Sequence, residues 1–178
     1  MTDALPRGSR GATWLGLPLI LMLFPWAPVA LAAPAPSLVG REAPDFTLKS
    51  TAGQNLRLSE YRGQVVLLNF WARWEGDSRR ELPALDRINQ TYARAGLIVL
   101  GVSIEPDRRR AGEYAASLHV SYPVLIAGNG TLGRDYAIEK MPMTILIDRA
   151  GIVRYVHVGF DTADENVYMD QIRALLRD

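Results

Sequence analysis

The sequence predicts an α/β domain of three layers: a central mixed β-sheet, helices on both faces, and an N-terminal β-hairpin. Three observations carry this reading. Residues 65–71 (VVLLNFW) and 97–104 (LIVLGVSI) are almost continuously apolar, as strands covered on both faces are. Between them, Leu82, Leu85, Ile88 and Tyr92 recur at three- and four-residue spacing and share one helical face. Residues 144–148 and 152–158 flank Arg149-Ala150-Gly151, the pattern of a hairpin.

The elements follow in order. Residues 43–48 and 54–58 are short extended pieces around Ala52-Gly53 and form the first hairpin. The strand at 65–71 leads into a helix over about 78–95, which Gly96 ends as the residue after the last turn. With the strand at 97–104 this makes a βαβ unit with parallel strands. Asp107 is a good N-cap for a helix to about residue 118, and a short extended piece follows at 122–126. After the second hairpin a helix over about 164–176 closes the chain. The predicted order is β-β-β-α-β-α-β-β-α, with the sheet between helical layers.

Composition narrows the chemistry. The chain has 178 residues, 48% hydrophobic and 22% charged, which suits one domain with a sizeable core. It has no cysteine, so disulfides, thiolate nucleophiles, cysteine-ligated zinc and iron–sulfur clusters are all excluded. Residues 1–33 differ from the rest. Arg7 and Arg10 precede an apolar run from Trp14 to Phe24, and Ala30-Leu31-Ala32 gives the small-x-small pattern of a cleavage site. This predicts a signal peptide, or an uncleaved N-terminal anchor, followed by a linker at 34–40 and a domain at 41–178. The protein is therefore expected to be periplasmic or otherwise extracytoplasmic, touching a membrane only if the leader stays. Beyond the leader the chain is formally neutral, which argues against nucleic acid. Arg108-Arg109-Arg110 sits among Glu105, Asp107 and Glu113 and reads as a solvated helix face.

The residues also carry a resemblance. Val66-Leu67-Leu68-Asn69-Phe70-Trp71-Ala72, followed by Trp74, Gly76, Arg79, Glu81 and Pro83, resembles the active-site segment of thioredoxin-fold proteins, above all the TlpA/ResA family of exported thiol-disulfide oxidoreductases, relatives of the redoxin and AhpC/TSA proteins. Ala43-Pro44-Asp45-Phe46 resembles the family's entry motif and Ser121-Tyr122-Pro123-Val124-Leu125 its mid-domain segment. Met141-Pro142-Met143-Thr144-Ile145-Leu146-Ile147-Asp148 is similar to its cis-proline strand. The match spans nearly all of the chain past the leader, in the expected order. It implies a thioredoxin-like fold and a cis peptide bond before Pro142.

The departure falls on the chemistry. The family carries Trp-Cys-x-x-Cys, and aligning Trp74 puts the two cysteine positions on Glu75 and Ser78. Neither residue can form a mixed disulfide, so thiol exchange is expected to be absent. Ser78-Arg79-Arg80-Glu81 also reads as a capping box, with the Ser78 hydroxyl and the Glu81 side chain satisfying each other's backbone N–H groups. Glu75, Asp77 and Glu81, set against Arg73, Arg79 and Arg80, form a surface ion-pair network rather than a cation site. Asn69 reads as a buried amide satisfied by hydrogen bonds. His119 and His157 with Met141 and Met143 make a poor copper set, since the copper-binding branch of the superfamily uses cysteines. No metal or cofactor is expected.

A binding role does not need thiols. The resemblance implies that the residue before the cis-proline offers its backbone to an extended segment by strand addition. Met141 and Pro142 hold those places, with Trp74 and Glu75 expected on the facing loop and Met143 adding an adaptable apolar lining. The expected function is a redox-inactive binding or accessory module in thiol-redox or cytochrome-maturation pathways, whose partners are protein or peptide segments such as thiol-containing periplasmic proteins. The alternatives are an enzyme using Glu75 as an acid or base near Ser78, and a structural subunit of an envelope complex.

Overall fold

The computed structural model describes residues 37–128 and 130–178; the leader expected at 1–33 lies outside them. Seven strands form one sheet in the order β2-β1-β5-β4-β3-β6-β7. In chain order they are β1 (Thr47–Ser50), β2 (Asn55–Arg57), β3 (Val65–Trp71), β4 (Leu97–Ser103), β5 (Val124–Ile126), β6 (Met143–Ile147) and β7 (Val153–Val158). The helices are α1 (Gly76–Tyr92), α2 (Arg108–Ser117), α3 (Leu132–Asp135) and α4 (Asp164–Arg177). β3, β4 and β5 run parallel, and β6 pairs antiparallel with both β3 and β7.

Alternation along the strands sorts the core into two layers. Val65, Leu67 and Trp71 of β3 face one cluster with Leu82, Leu85 and Ile88 of α1, Ala111 and Ala115 of α2, and Tyr168, Ile172 and Leu175 of α4. Val66, Leu68 and Phe70 face the other, with Phe46, Leu58, Leu132 and Tyr136. The two helical layers are thus unequal. One carries α1, α2 and α4, while the other is closed by the N-terminal segment and the four-residue α3, an element with no helical period for the sequence to display.

Several boundaries differ from the sequence reading for identifiable reasons. Residues 43–46 are not strand. Pro44 has no N–H to give a ladder, and the Asp45 carboxylate instead accepts the Ser59 N–H (2.9 Å) and the Arg57 guanidinium (2.8 Å), tying the segment across the base of the hairpin. The extended piece at 122–126 is a sheet strand only over its last three residues, yet these bridge β1 and β4 and join the hairpin to the sheet. The Gly40 N–H reaches the Val153 carbonyl at 2.8 Å, tying the segment before β1 to β7. α1 ends at Tyr92, a 3-10 turn follows at Ala93–Ala95, and Gly96 takes φ 100° after it; the Asp107 carboxylate caps α2 by accepting the Arg110 N–H.

Gly101 in β4 has a packing role. A Cβ there would stand 2.9 Å from Tyr122 Cε2 and 3.2 Å from Trp71 Nε1, two buried rings laid against the strand. Gly101→Ala is therefore expected to lower unfolding free energy by about 1–3 kcal/mol through overpacking. Urea denaturation measures it, and an unchanged midpoint would contradict this view of the core.

Candidate functional site

β3 delivers the chain to the site. After Trp71 a tight turn closes when the Glu75 N–H reaches the Ala72 carbonyl at 3.1 Å, leaving Trp74 58% exposed. Glu75 is the N-cap of α1, with extended dihedrals (φ −87°, ψ 116°), and its side chain caps nothing. The helix begins at Gly76, two residues earlier than expected. That shift turns Ser78 and Glu81 inward with Leu82 and Leu85, so the predicted capping box does not form. The Ser78 hydroxyl is fully buried without a hydrogen-bond partner, and so lacks the base a nucleophile needs.

Glu81 is the largest departure from the sequence reading. It is no surface ion but a fully buried acid beneath the site. One oxygen accepts the Thr144 hydroxyl (2.7 Å) and the Tyr168 hydroxyl (3.0 Å), and the other accepts the Asn69 amide N–H (2.8 Å). Burial pushes its pKa up from 4.5 to about 7, against the pull of these three donors. Tyr168 is raised too, by burial and then by the neighbouring carboxylate. Asn69 is buried as expected, but only its amide nitrogen is satisfied; Oδ1 has no partner. The expected ion-pair network reduces to Asp77–Arg80 at 2.6 Å, while Arg73 turns to the buried Glu105 at 3.3 Å. Among the described residues no three His, Asp or Glu side chains form a metal-binding group. His157 bonds Gln171 of α4, and Met143 sits in the core.

The other lip is β6 and the chain before it. The Met141–Pro142 peptide is cis, and the Pro142 carbonyl accepts the Gly159 N–H at 2.8 Å. The β3–β6 register pairs Phe70 with Met143 and Asn69 with Thr144. Continued by two residues, it sets Pro142 beside Trp71 and Met141 beside Ala72. The Trp74–Glu75 turn and Met141-Pro142 thus share one end of the sheet. Among the described residues neither the N–H nor the C=O of Met141 has a hydrogen-bond partner. Met143, expected in the groove lining, points instead into the layer that holds Phe70 and Tyr136, because Met143, Ile145 and Ile147 alternate onto that face.

Sequence reasoning missed the cleft beside Met141. It holds about 280 Å³ and is lined by Phe70, Ile104, Ala127, Leu132, Ile138 and Met141, with Glu139 and Lys140 among its walls. It opens at the carboxyl ends of β3, β4 and β5, where open α/β sheets bind ligands. Apolar residues at the ends of the strand runs, Ile104 and Ala127, were the available signal.

A parallel β3-α1-β4 unit, the antiparallel β6-β7 pair and a helix starting opposite a cis-proline define a thioredoxin-fold protein. The comparisons agree and extend this. The AhpC/TSA family model matches residues 39–156, so the chain belongs to the AhpC/TSA family, among its TlpA/ResA-like thioredoxin-fold members. It is 34% identical to the thioredoxin-like protein YneN of Bacillus subtilis over 128 residues, covering 71% of this chain and 75% of that one. To the thiol-disulfide oxidoreductase ResA of Geobacillus thermodenitrificans it is 31% identical, covering 71% and 73%. The crystal structure of a protein assigned as thiol:disulfide interchange protein DsbE from Chlorobium tepidum superposes with a TM-score of 0.74 at 35% identity, over 78% of this chain and 97% of that one.

Proposed function

We propose that this protein is a redox-inactive, extracytoplasmic relative of the thiol-disulfide oxidoreductases that grips extended polypeptide segments without covalent chemistry, as an accessory to thiol-redox or cytochrome-maturation pathways. The observation that carries the reading is that, among the described residues, the N–H and C=O of Met141 have no partner, at the same end of the sheet as the exposed Trp74. An unpaired backbone donor and acceptor just before a strand suit strand addition, and an exposed tryptophan at the same end of the sheet supplies apolar surface. The leader expected at 1–33 supports a place outside the cytoplasm, and cysteine-containing clients suit a relative of thiol-disulfide oxidoreductases. Glu75 and Ser78 cannot form a mixed disulfide, so what remains of the site is its grip.

Calorimetry with an unfolded, cysteine-containing polypeptide tests this. Affinity is expected to be the same whether the client's thiols are free or alkylated, because no sulfur of this protein takes part. Trp74→Ala and Met141→Asp are each expected to weaken binding about tenfold, or about 1.4 kcal/mol. Undiminished binding by both variants would overturn the reading.

A further inference from the structure

With no cysteine in the chain, its sulfur is confined to five methionines, of which Met141, Met143 and Met169 lie among the described residues. Their surroundings differ. Met143 is 4% exposed, in the layer that holds Phe70 and Tyr136, and Met169 of α4 packs against the apolar cluster that α1 and α2 share. Met141 is half-buried and lines the open cleft of about 280 Å³ with Phe70, Ile104, Leu132 and Ile138. A thioether on the wall of an open cleft is within reach of small oxidants that a packed core excludes. The same residue carries the backbone N–H and C=O that have no partner among the described residues. Accessible sulfur and the proposed point of strand addition thus coincide in one residue.

We propose that Met141 is a reversible oxidation site, at which peroxide converts the thioether to the sulfoxide and so releases an extended segment held at the groove. The release rests on the grip proposed above; the oxidation site does not. A lone pair on the Met141 sulfur takes one oxygen from hydrogen peroxide, the S–O bond forms as the O–O bond breaks, and the remaining oxygen leaves as water. Sulfur is oxidised by two electrons and the peroxide is reduced by the same two. No thiolate in this chain competes for the oxidant. The product is polar where the thioether was soft and apolar. Against Phe70, Ile104, Leu132 and Ile138 the new oxygen meets no donor side chain, so the oxidised side chain is expected to leave that wall for water. Turned outward it sets a polar group where the added strand runs, beside the backbone groups that strand has to pair with.

Graded hydrogen peroxide on the full chain, read by peptide-resolved mass spectrometry and then by calorimetry, tests this. One added oxygen is expected at Met141 about tenfold sooner than at Met143 or Met169. The oxidised protein should bind a methionine-free, cysteine-free, apolar extended peptide about fivefold more weakly or worse, and a methionine sulfoxide reductase with its dithiol should restore the affinity. Met169→Leu should keep the whole of that loss, whereas Met141→Leu, whatever its starting affinity, should bind equally before and after peroxide. Oxidation that reaches Met143 or Met169 as early as Met141, or an oxidised protein that holds the peptide as tightly as the reduced one, would overturn the proposal. A reduced protein that ignores the peptide while Met141 still oxidises first would overturn the grip, and with it the release, and leave the oxidation site standing.

Discussion

Replacing Glu75 and Ser78 together by cysteine is expected to raise insulin-disulfide reduction about tenfold or more above both the wild-type protein and the dithiol background. Position 75 is the N-cap of a 17-residue helix, where free N–H groups and the helix dipole stabilise a thiolate. Position 78 lies three residues on and is fully buried, which shields a resolving thiol from solvent. Met141-Pro142 already flanks the turn. The single Glu75→Cys variant should trap a mixed disulfide and stop there, because no second sulfur can release it. A double variant that stays inert, with its cysteines oxidising as a pair, would mean that the frame around them has been lost along with the thiols.

The second large effect is on stability against pH. Unfolded Glu81 titrates at its ordinary value of 4.5, whereas the folded protein holds that proton to about pH 7. Between those values the native state binds a proton the unfolded chain lacks, so unfolding free energy falls as pH rises. The total loss is about 3 kcal/mol, complete a little above pH 7. Asp45 and Asp148 act in the opposite sense. Their pKa values are lowered by bonds to Arg57 and Ser59 and to Ile152 and Arg154, so their stabilisation is present at neutral pH and lost as pH falls below about 4. The stability maximum is therefore expected between roughly pH 4 and 5.5. Glu81→Gln should flatten the fall on the alkaline side and leave the variant more stable than wild type at pH 8. Chemical denaturation at pH 5 and pH 8 measures both, and a wild-type protein equally stable at the two would contradict a buried, proton-holding Glu81.

The fold was legible because its strongest signals are periodic. The continuous apolar runs of β3 and β4 and the stripe of Leu82, Leu85 and Ile88 follow from burial on two faces and on one. Trp74 and the chain around it fix where the family's two cysteines would stand, and the structure has Glu75 as the N-cap of α1 and Ser78 in its first turn. Glu81 was misread for a local reason. Ser78-Arg79-Arg80-Glu81 has the composition of a capping box, but starting α1 at Gly76 rotates both polar side chains from the helix end to its inner face. Nothing in the neighbouring residues announces that rotation. It depends on Asn69, Thr144 and Tyr168 arriving from three distant parts of the chain to receive a carboxyl. The cleft was hidden for the same reason, its walls coming from β3, the chain just past β4 and β5, α3 and the chain before β6.

The central claim is that the groove beside Met141 still grips extended chain without sulfur chemistry. Amide NMR during titration with a cysteine-free, apolar, extended peptide tests it most directly. The account predicts shift changes concentrated at Trp74, Glu75 and Gly76 on one lip and at Ile138 and Met141 on the other, all of them lost in Met141→Asp. A peptide that leaves these amides unmoved, or that shifts only residues elsewhere such as the outer edge of β7, would contradict it.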